Sequence, residues 1–361
     1  MPDVPATPLS ASRRTASPFR AGSLSAVALA AVLVLAGCSS AAGDKAAGDK
    51  TAGDRAAADK AAGEKTSGDQ AAAFPRTLTT GLGEVTIPKK PQRVVTVGFP
   101  TGTADAALAS GVVPVAMPKA VGQPDSIEPW VNSLLGGQKP TLIEANKVDI
   151  EQIASLKPDL ILAGQHRGIA DDYAKLSKIA PVVTFEGKAA FQDTWQQQTA
   201  LIGKALGTED KAAAAVKKVE DRFAAVQAKH PAWKGRTFTF TQGASLAQIP
   251  TVTDPNEASA RLFSSFGFEL APSVKALGAK REVSAENLGV INADLVVVFF
   301  PSAEAQKTFE ANAAFSQIPA VKEGRYITVN SSEAFALISP GVLNVEWATD
   351  QILPRIEKAL P

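Results

Sequence analysis

The chain has 361 residues, with 37 lysines and arginines against 36 aspartates and glutamates, a net charge of +1. That balance excludes the basic excess that nucleic-acid binding needs. One cysteine among 361 residues excludes internal disulfides, so the folded part must be held together by its hydrophobic core.

Arg13, Arg14 and Arg20 give the start of the chain a positive charge, and residues 24–35 follow as an apolar run too short to span a bilayer as a helix. The run ends in Leu35-Ala36-Gly37-Cys38, the small-residue pattern of a lipobox, where the Cys38 thiol is the one group a lipid donor can alkylate. Residues 1–37 therefore read as a lipoprotein signal peptide and Cys38 as the lipidation site; stable anchoring takes two acyl chains or more. From residue 41 the chain repeats AAGDK AAGDK TAGDR AAADK AAGEK TSGDQ. A period of five fits neither helix nor strand and offers no apolar face to bury. Residues 38–76 read as the lipidated cysteine followed by a disordered tether.

Beyond it, residues 93–97 (RVVTV), 112–116 (VVPVA), 160–163 (LILA) and 181–185 (PVVTF) read as buried strands. Helical patterns fall between them at 103–109, 126–135, 150–156 and 170–179. This alternation predicts a parallel sheet covered on both faces, an N-terminal α/β lobe over residues 77–190. A helical stretch follows over 191–229, broken near Gly207-Thr208 and stopped at His230-Pro231, within an interlobe segment 191–235. Strands resume at 237–241 (TFTFT), 295–300 (LVVVFF) and 326–329 (YITV), and 341–360 reads as a closing helix kinked or interrupted at Pro354. Residues 236–361 make a C-terminal α/β lobe.

Two segments repeat one local design. VDIEQIASLKPDLIL (148–162) and VSAENLGVINADLVV (283–297) each carry a cap residue (Asp149, Ser284), a glutamate two places on (Glu151, Glu286) and Asp-Leu leading into a strand. The glutamate-to-aspartate spacing is equal in both. These segments, and the lead-in GEVTIP with PQRVV, resemble the substrate-binding proteins of ABC importers for iron-siderophores and cobalamin. The resemblance covers residue 77 to the end. It implies an α/β fold of two Rossmann-like lobes with parallel sheets, joined by a long rigid interlobe helix, the class III periplasmic-binding-protein type. It implies an iron(III)-siderophore, with the hydroxamate type as one candidate, as ligand rather than cofactor, and an ABC permease as partner. Further expectations are a monomer, held by its lipid at the extracellular face of the membrane of a Gram-positive-like cell. Cobalamin or haem is the alternative ligand, and a sensor without transport the alternative class.

In this family a glutamate on each lobe meets arginines of the permease; the matching positions are Glu151 and Glu286. Either glutamate could instead simply favour its helix N-terminus, and Gln152 could close a capping box with Asp149.

Ligands of paired α/β lobes sit outside the carboxyl ends of the strands, which selects the loops after 97, 163, 241, 300 and 329. Arg167, beside Gly168, offers five fixed N–H donors suited to hydroxamate, carboxylate or catecholate oxygens. His166 could add a donor or complete iron coordination, or lie at the surface. Phe99, Phe300 and Phe335 either pack against apolar ligand spacers or belong to the lobe cores, and Trp130 could form an aromatic wall. Gln242 and Ser331 are polar candidates in the same loops. Two histidines in the whole chain cannot supply clustered ligands for a bare metal ion. Absence of G-x-S-x-G, H-E-x-x-H, a P-loop or G-x-G-x-x-G leaves no motif for an enzyme.

Overall fold

The computed structural model describes residues 74–361 apart from Asn146. The expected signal peptide, Cys38 and the repeat up to residue 73 lie outside the described residues.

An antiparallel hairpin comes first, β1 (Arg76–Thr80) and β2 (Gly83–Ile87). The N-terminal lobe then runs β3 (Val94–Gly98), α1 (Thr103–Ala109), β4 (Ala116–Pro118), β5 (Thr141–Ile143), α2 (Ile150–Ser155), β6 (Leu160–Gln165), α3 (Ile169–Leu176) and β7 (Val182–Val183). Its five strands are parallel, in the order β5-β4-β3-β6-β7. Side chains alternate between the faces of a sheet, and both faces here are apolar. Val94, Leu160 and Leu162 pack towards α1 and the later interlobe helices, while Val95, Val97, Ile161 and Ala163 pack with Ile153, Ile169 and Leu176 on the other side. This is why the strands read as unbroken apolar runs.

Two helices join the lobes: α4 (Trp195–Leu206) and α5 (Glu209–Lys229). Gly207, at φ 67, ends α4 in the left-handed conformation that glycine adopts without penalty. The helices cross so closely there that a Cβ on Gly203 would come within 2.5 Å of the Ala212 side chain. α5 is the long crossing element, roughly 31 Å at 1.5 Å per residue. It buries Ala212, Val219, Phe223 and Val226 along one stripe.

The C-terminal lobe follows as β8 (Thr237–Gln242), β9 (Ile249–Pro250), α6 (Ala258–Ser264), β10 (Glu269–Leu270), α7 (Pro272–Lys275), β11 (Glu282–Val283), β12 (Leu295–Phe299), α8 (Ala303–Glu310), α9 (Ala313–Ser316), α10 (Pro319–Lys322), β13 (Tyr326–Val329), α11 (Ser331–Ile338) and α12 (Val342–Ala359). Its parallel sheet has the order β10-β8-β12-β13. α12 runs parallel to α5, and the two are laced by ion pairs: Lys218–Glu346 at 2.7 Å, Arg222–Asp350 at 3.0 Å and Lys229–Glu357 at 2.8 Å. Every cation lies on α5, every anion on α12, and the separation of 128 residues recurs. α12 passes through Pro354 without interruption.

The α/β fold class is borne out, and three local expectations are corrected. The strand expected at 112–116 starts only at Ala116, since Pro114 has no N–H to offer a sheet. The helix expected over 126–135 reduces to one 3₁₀ turn, Asn132–Leu134. Ser126 is left-handed at φ 58 and Pro129 again lacks a donor. The interlobe helix begins at Trp195 rather than 191, where the Thr194 side chain accepts the Gln197 N–H and Gln197 accepts the Thr194 N–H.

The repeated design persists chiefly in its aspartates. Asp159 accepts the backbone N–H groups of Gln92 and Arg93 at 2.8–3.1 Å, just before β3. Asp294 accepts the Thr237 N–H and hydroxyl at 2.8 Å, where β8 starts. Burial alone would raise the Asp294 pKa, but those bonds and the charges of Arg236 and Arg325 hold it below the usual range. Each aspartate thus pins the strand that pairs with its own. The caps differ: Asp149 accepts the Gln152 N–H at 3.0 Å, whereas Ser284 precedes a kinked 3₁₀ segment, Ala285–Ile291, with no side-chain cap.

Candidate functional site: the interlobe cleft

Strand order reverses at β3/β6 in one sheet and at β8/β12 in the other, and such switch points open crevices at the carboxyl ends of their strands. In the N-terminal lobe this selects the loops after Gly98 and Gln165. In the C-terminal lobe it selects Gly243–Leu246 and the turn at Ser302, which with Glu304, Ala305, Thr308 and Phe309 line a cavity of about 270 Å³. A second cavity, of about 130 Å³, lies at the end of β8 between Gln242, Ser259, Arg281 and Ile338.

The floor between the lobes is polar and buried. Thr101 donates its hydroxyl to the Ser339 carbonyl at 3.0 Å, and the Ser339 hydroxyl donates to Gln165 Oε1 at 3.2 Å. Asp105 Oδ1 accepts the Trp130 indole N–H at 2.9 Å, and its Oδ2 accepts the Asn344 backbone N–H at 3.1 Å. Among the described residues no cation balances it. Burial pushes the Asp105 pKa up to about 7, against those two bonds that lower it. Glu128, 1% exposed, has both carboxylate oxygens without a hydrogen-bond partner; burial and the Asp105 charge push it up to about 7 as well.

Above the floor, aromatic rings span the gap. Phe99, after β3, stands edge-on to Phe335 of α11 at 5.7 Å between centroids and to Phe191 at 5.9 Å. The Arg167 guanidinium lies 4.6 Å from the Phe191 ring centroid. Arg167 is exposed and has no hydrogen bond or ion pair to another described residue. Gln242 and Ser331 are half-buried, and the neighbouring Ser332 accepts Gln123 Nε2 across the gap at 2.5 Å. So Phe99, Arg167 and Phe335 come together, joined by Phe191, which sequence reasoning missed. Its signal was weak: a phenylalanine in a polar stretch read as helix.

Three candidate ligand residues are buried: Trp130 and His166 are corrected, and Phe300 takes the core alternative. Trp130 is 8% exposed, packed 4.9 Å from Trp347 with its N–H already spent on Asp105. His166 is buried, its Nε2 bound to Asp172 at 2.8 Å. Phe300 is 6% exposed, edge-on to Phe309 at 5.5 Å, and belongs to the C-terminal lobe core. Glu151 and Glu286 are both exposed, and neither pairs with a described residue. Among the described residues no helix is long and apolar enough to cross a membrane, and no three metal-ligating side chains stand together.

Two parallel-sheet lobes facing across a cleft, crossed by a helix, have the architecture of a substrate-binding protein. Residues 101–333 match the model of the periplasmic binding protein family, and the chain belongs to that family. It is 28% identical over 251 residues to the Fe(3+)-citrate-binding protein YfmC of Bacillus subtilis, covering 67% of this chain and 74% of that one. It is 24% identical to the ferric enterobactin-binding periplasmic protein FepB of Escherichia coli, covering 74% and 87%. Among solved structures, a periplasmic solute binding protein from Mycobacterium smegmatis superposes with a TM-score of 0.70 at 29% identity, covering 79% of this chain and 98% of that chain. PiaA of Streptococcus pneumoniae in complex with ferrichrome superposes with 0.66 at 27% identity, covering 78% and 98%.

Proposed function

We propose that this chain captures an iron(III)-siderophore, of hydroxamate type, between its lobes and delivers it to the permease of an ABC importer. The observation that carries the reading is the unpaired Arg167 set among Phe191, Phe99 and Phe335, with the two lobes each contributing a ring. A hydroxamate chelate presents delocalised oxygens to a guanidinium and hydrocarbon spacers to aromatic rings. Iron enters as cargo whose coordination the siderophore fills. The likeness to a ferric-citrate binder and to a ferrichrome complex supports the same class.

Delivery requires a carrier kept near its permease. Lipidation of Cys38 and a tether over residues 38–76 would raise the effective concentration at the membrane surface. The exposed Glu151 and Glu286, one on each lobe, would accept arginines of a permease.

The test is fluorescence titration of the purified chain with ferric hydroxamates, ferric citrate, a ferric catecholate, cobalamin and haem. Trp130 and Trp347 meet between the lobes with their rings tilted at 45°, and serve as the fluorescent reporters. Micromolar or tighter quenching by a ferric hydroxamate is expected; quenching by cobalamin or haem alone would replace the siderophore. Cys38→Ser should leave that affinity unchanged while releasing the chain into the medium.

A further inference from the structure

Phe191 sits at φ 68, in the left-handed region that is a genuine outlier for a bulky side chain. The backbone on either side leaves it little choice. Asp193 binds the N–H groups of Glu186 and Gly187 at 2.7 and 2.8 Å, closing the loop that leaves β7. Thr194 and Gln197 cap α4 reciprocally. Phe191 lies between these two clamps, and its left-handed turn sends the ring back towards the cleft rather than along α4.

There the ring has two neighbours of different kinds. Phe99 meets it edge-on at 5.9 Å and continues to Phe335 of the other lobe. Arg167 places its guanidinium 4.6 Å from the ring centroid. An exposed arginine without an ionic partner samples many rotamers, and ordering it on ligand binding costs entropy. A ring lying against the guanidinium removes part of that cost beforehand. The contact leaves the N–H donors, which point outward in the guanidinium plane, free for oxygen acceptors. Backbone strain kept at a site with this geometry is the pattern expected of pre-organisation.

We propose that Phe191 is a positioning residue of the cleft: held left-handed between two clamps, it fixes the Arg167 guanidinium so that its donors meet the oxygen-rich edge of a chelate. This rests on the reading of the cleft as a ferric-chelate site, and two readouts separate the claims. In the ligand-free chain, the Arg167 side-chain NMR signals carry a ring-current shift that Phe191→Leu abolishes and Phe191→Tyr preserves. Phe191→Gly, at ease at this φ, serves as the second ring-less variant should the leucine chain misfold. With ferrichrome as the probe, Phe191→Leu weakens binding roughly threefold or more, Phe191→Tyr restores it, and in an Arg167→Ala background Phe191→Leu has no further effect. An Arg167 signal indifferent to the ring, or a loss of affinity that simply adds to that of Arg167→Ala, overturns the proposal. A ring-current shift present in a chain that binds no ferric chelate supports the positioning role and sinks the ligand reading instead.

Discussion

Asp105 caps a helix that begins in the other lobe: its Oδ2 accepts the N–H of Asn344, the third residue of α12, across a separation of 239 residues. The N-cap residue, Gly341, has no side chain to accept that N–H, although Asn344 Oδ1 accepts the Gly341 N–H at 2.6 Å. A side chain there has no room; a Cβ would come within 2.7 Å of the Asp105 carboxylate and of the Gly102 backbone. Asp105 thus supplies an acceptor to the positive end of an 18-residue helix and fastens the lobes together.

Burial of the same carboxylate, working against the Trp130 and Asn344 bonds, makes the fold sensitive to pH. Asp105 and Glu128 titrate at about 7 in the folded chain, against ordinary values of 3.8 and 4.5. Between those limits the folded chain holds more protons than the unfolded chain, so stability falls as pH rises. We expect a lower melting temperature at pH 8 than at pH 5, equivalent to a few kcal/mol. Glu128→Gln removes one of the two titrating groups and should flatten the profile by roughly half. A wild-type melting temperature that rises steadily over this range would refute the assignment.

Gly341→Ala tests the cap geometrically. The added methyl must displace Asp105 or Gly102, and overpacking of this kind costs about 1–3 kcal/mol. Thermal melting should register the loss, and small-angle scattering a wider lobe separation. Unchanged melting would mean the lobes are not seated as described.

The α5–α12 ladder is open to a charge swap. Its pairs are largely exposed, so removing any one should cost about 1 kcal/mol or less. Arg222→Glu should destabilise through repulsion with Asp350, and adding Asp350→Arg should recover most of the loss. Recovery absent in the double variant would show that the pair does not meet.

Phe300→Ala separates core from cleft. Its ring is buried against Phe309 and covers Gly243, so truncation should cost about 3–5 kcal/mol of stability. Ligand affinity of the chain that still folds should be unchanged; a selective loss of affinity would return Phe300 to the binding site.

Charge reversal at Glu151 and Glu286 together should abolish uptake by whole cells while the purified chain keeps its affinity and its melting temperature. Both side chains are exposed and without partners among the described residues, so a lost affinity would tie them to the cleft rather than to docking.

The strands around Val94, Leu160 and Leu295 were legible because parallel strands buried on both faces are predominantly apolar, and the one at Thr237 because β-branched and aromatic residues alternate along it. The region 249–283 was not, since β9, β10 and β11 are two residues long and too short to leave a period. At the site, Arg167 and Phe335 were legible from their place after strands. Trp130 and His166 were misplaced, and Phe300 was left between core and cleft, because a loop residue beside a cleft and one tucked beneath it have the same local sequence.

By itself, then, the sequence determined the repeat, the α/β alternation and the paired Glu-x₇-Asp segments, and it carried the expectation of an export signal ending at Cys38, all through neighbours within about one element of each other. Only the tertiary structure decided which side chains face the cleft. Asp105 meets Asn344, Phe99 meets Phe335, and α5 meets α12 in register through long-range packing. No local period encodes which of two apolar residues ends in a core and which at its edge. Nor does it encode that a strained phenylalanine will come to rest against an arginine 24 residues before it.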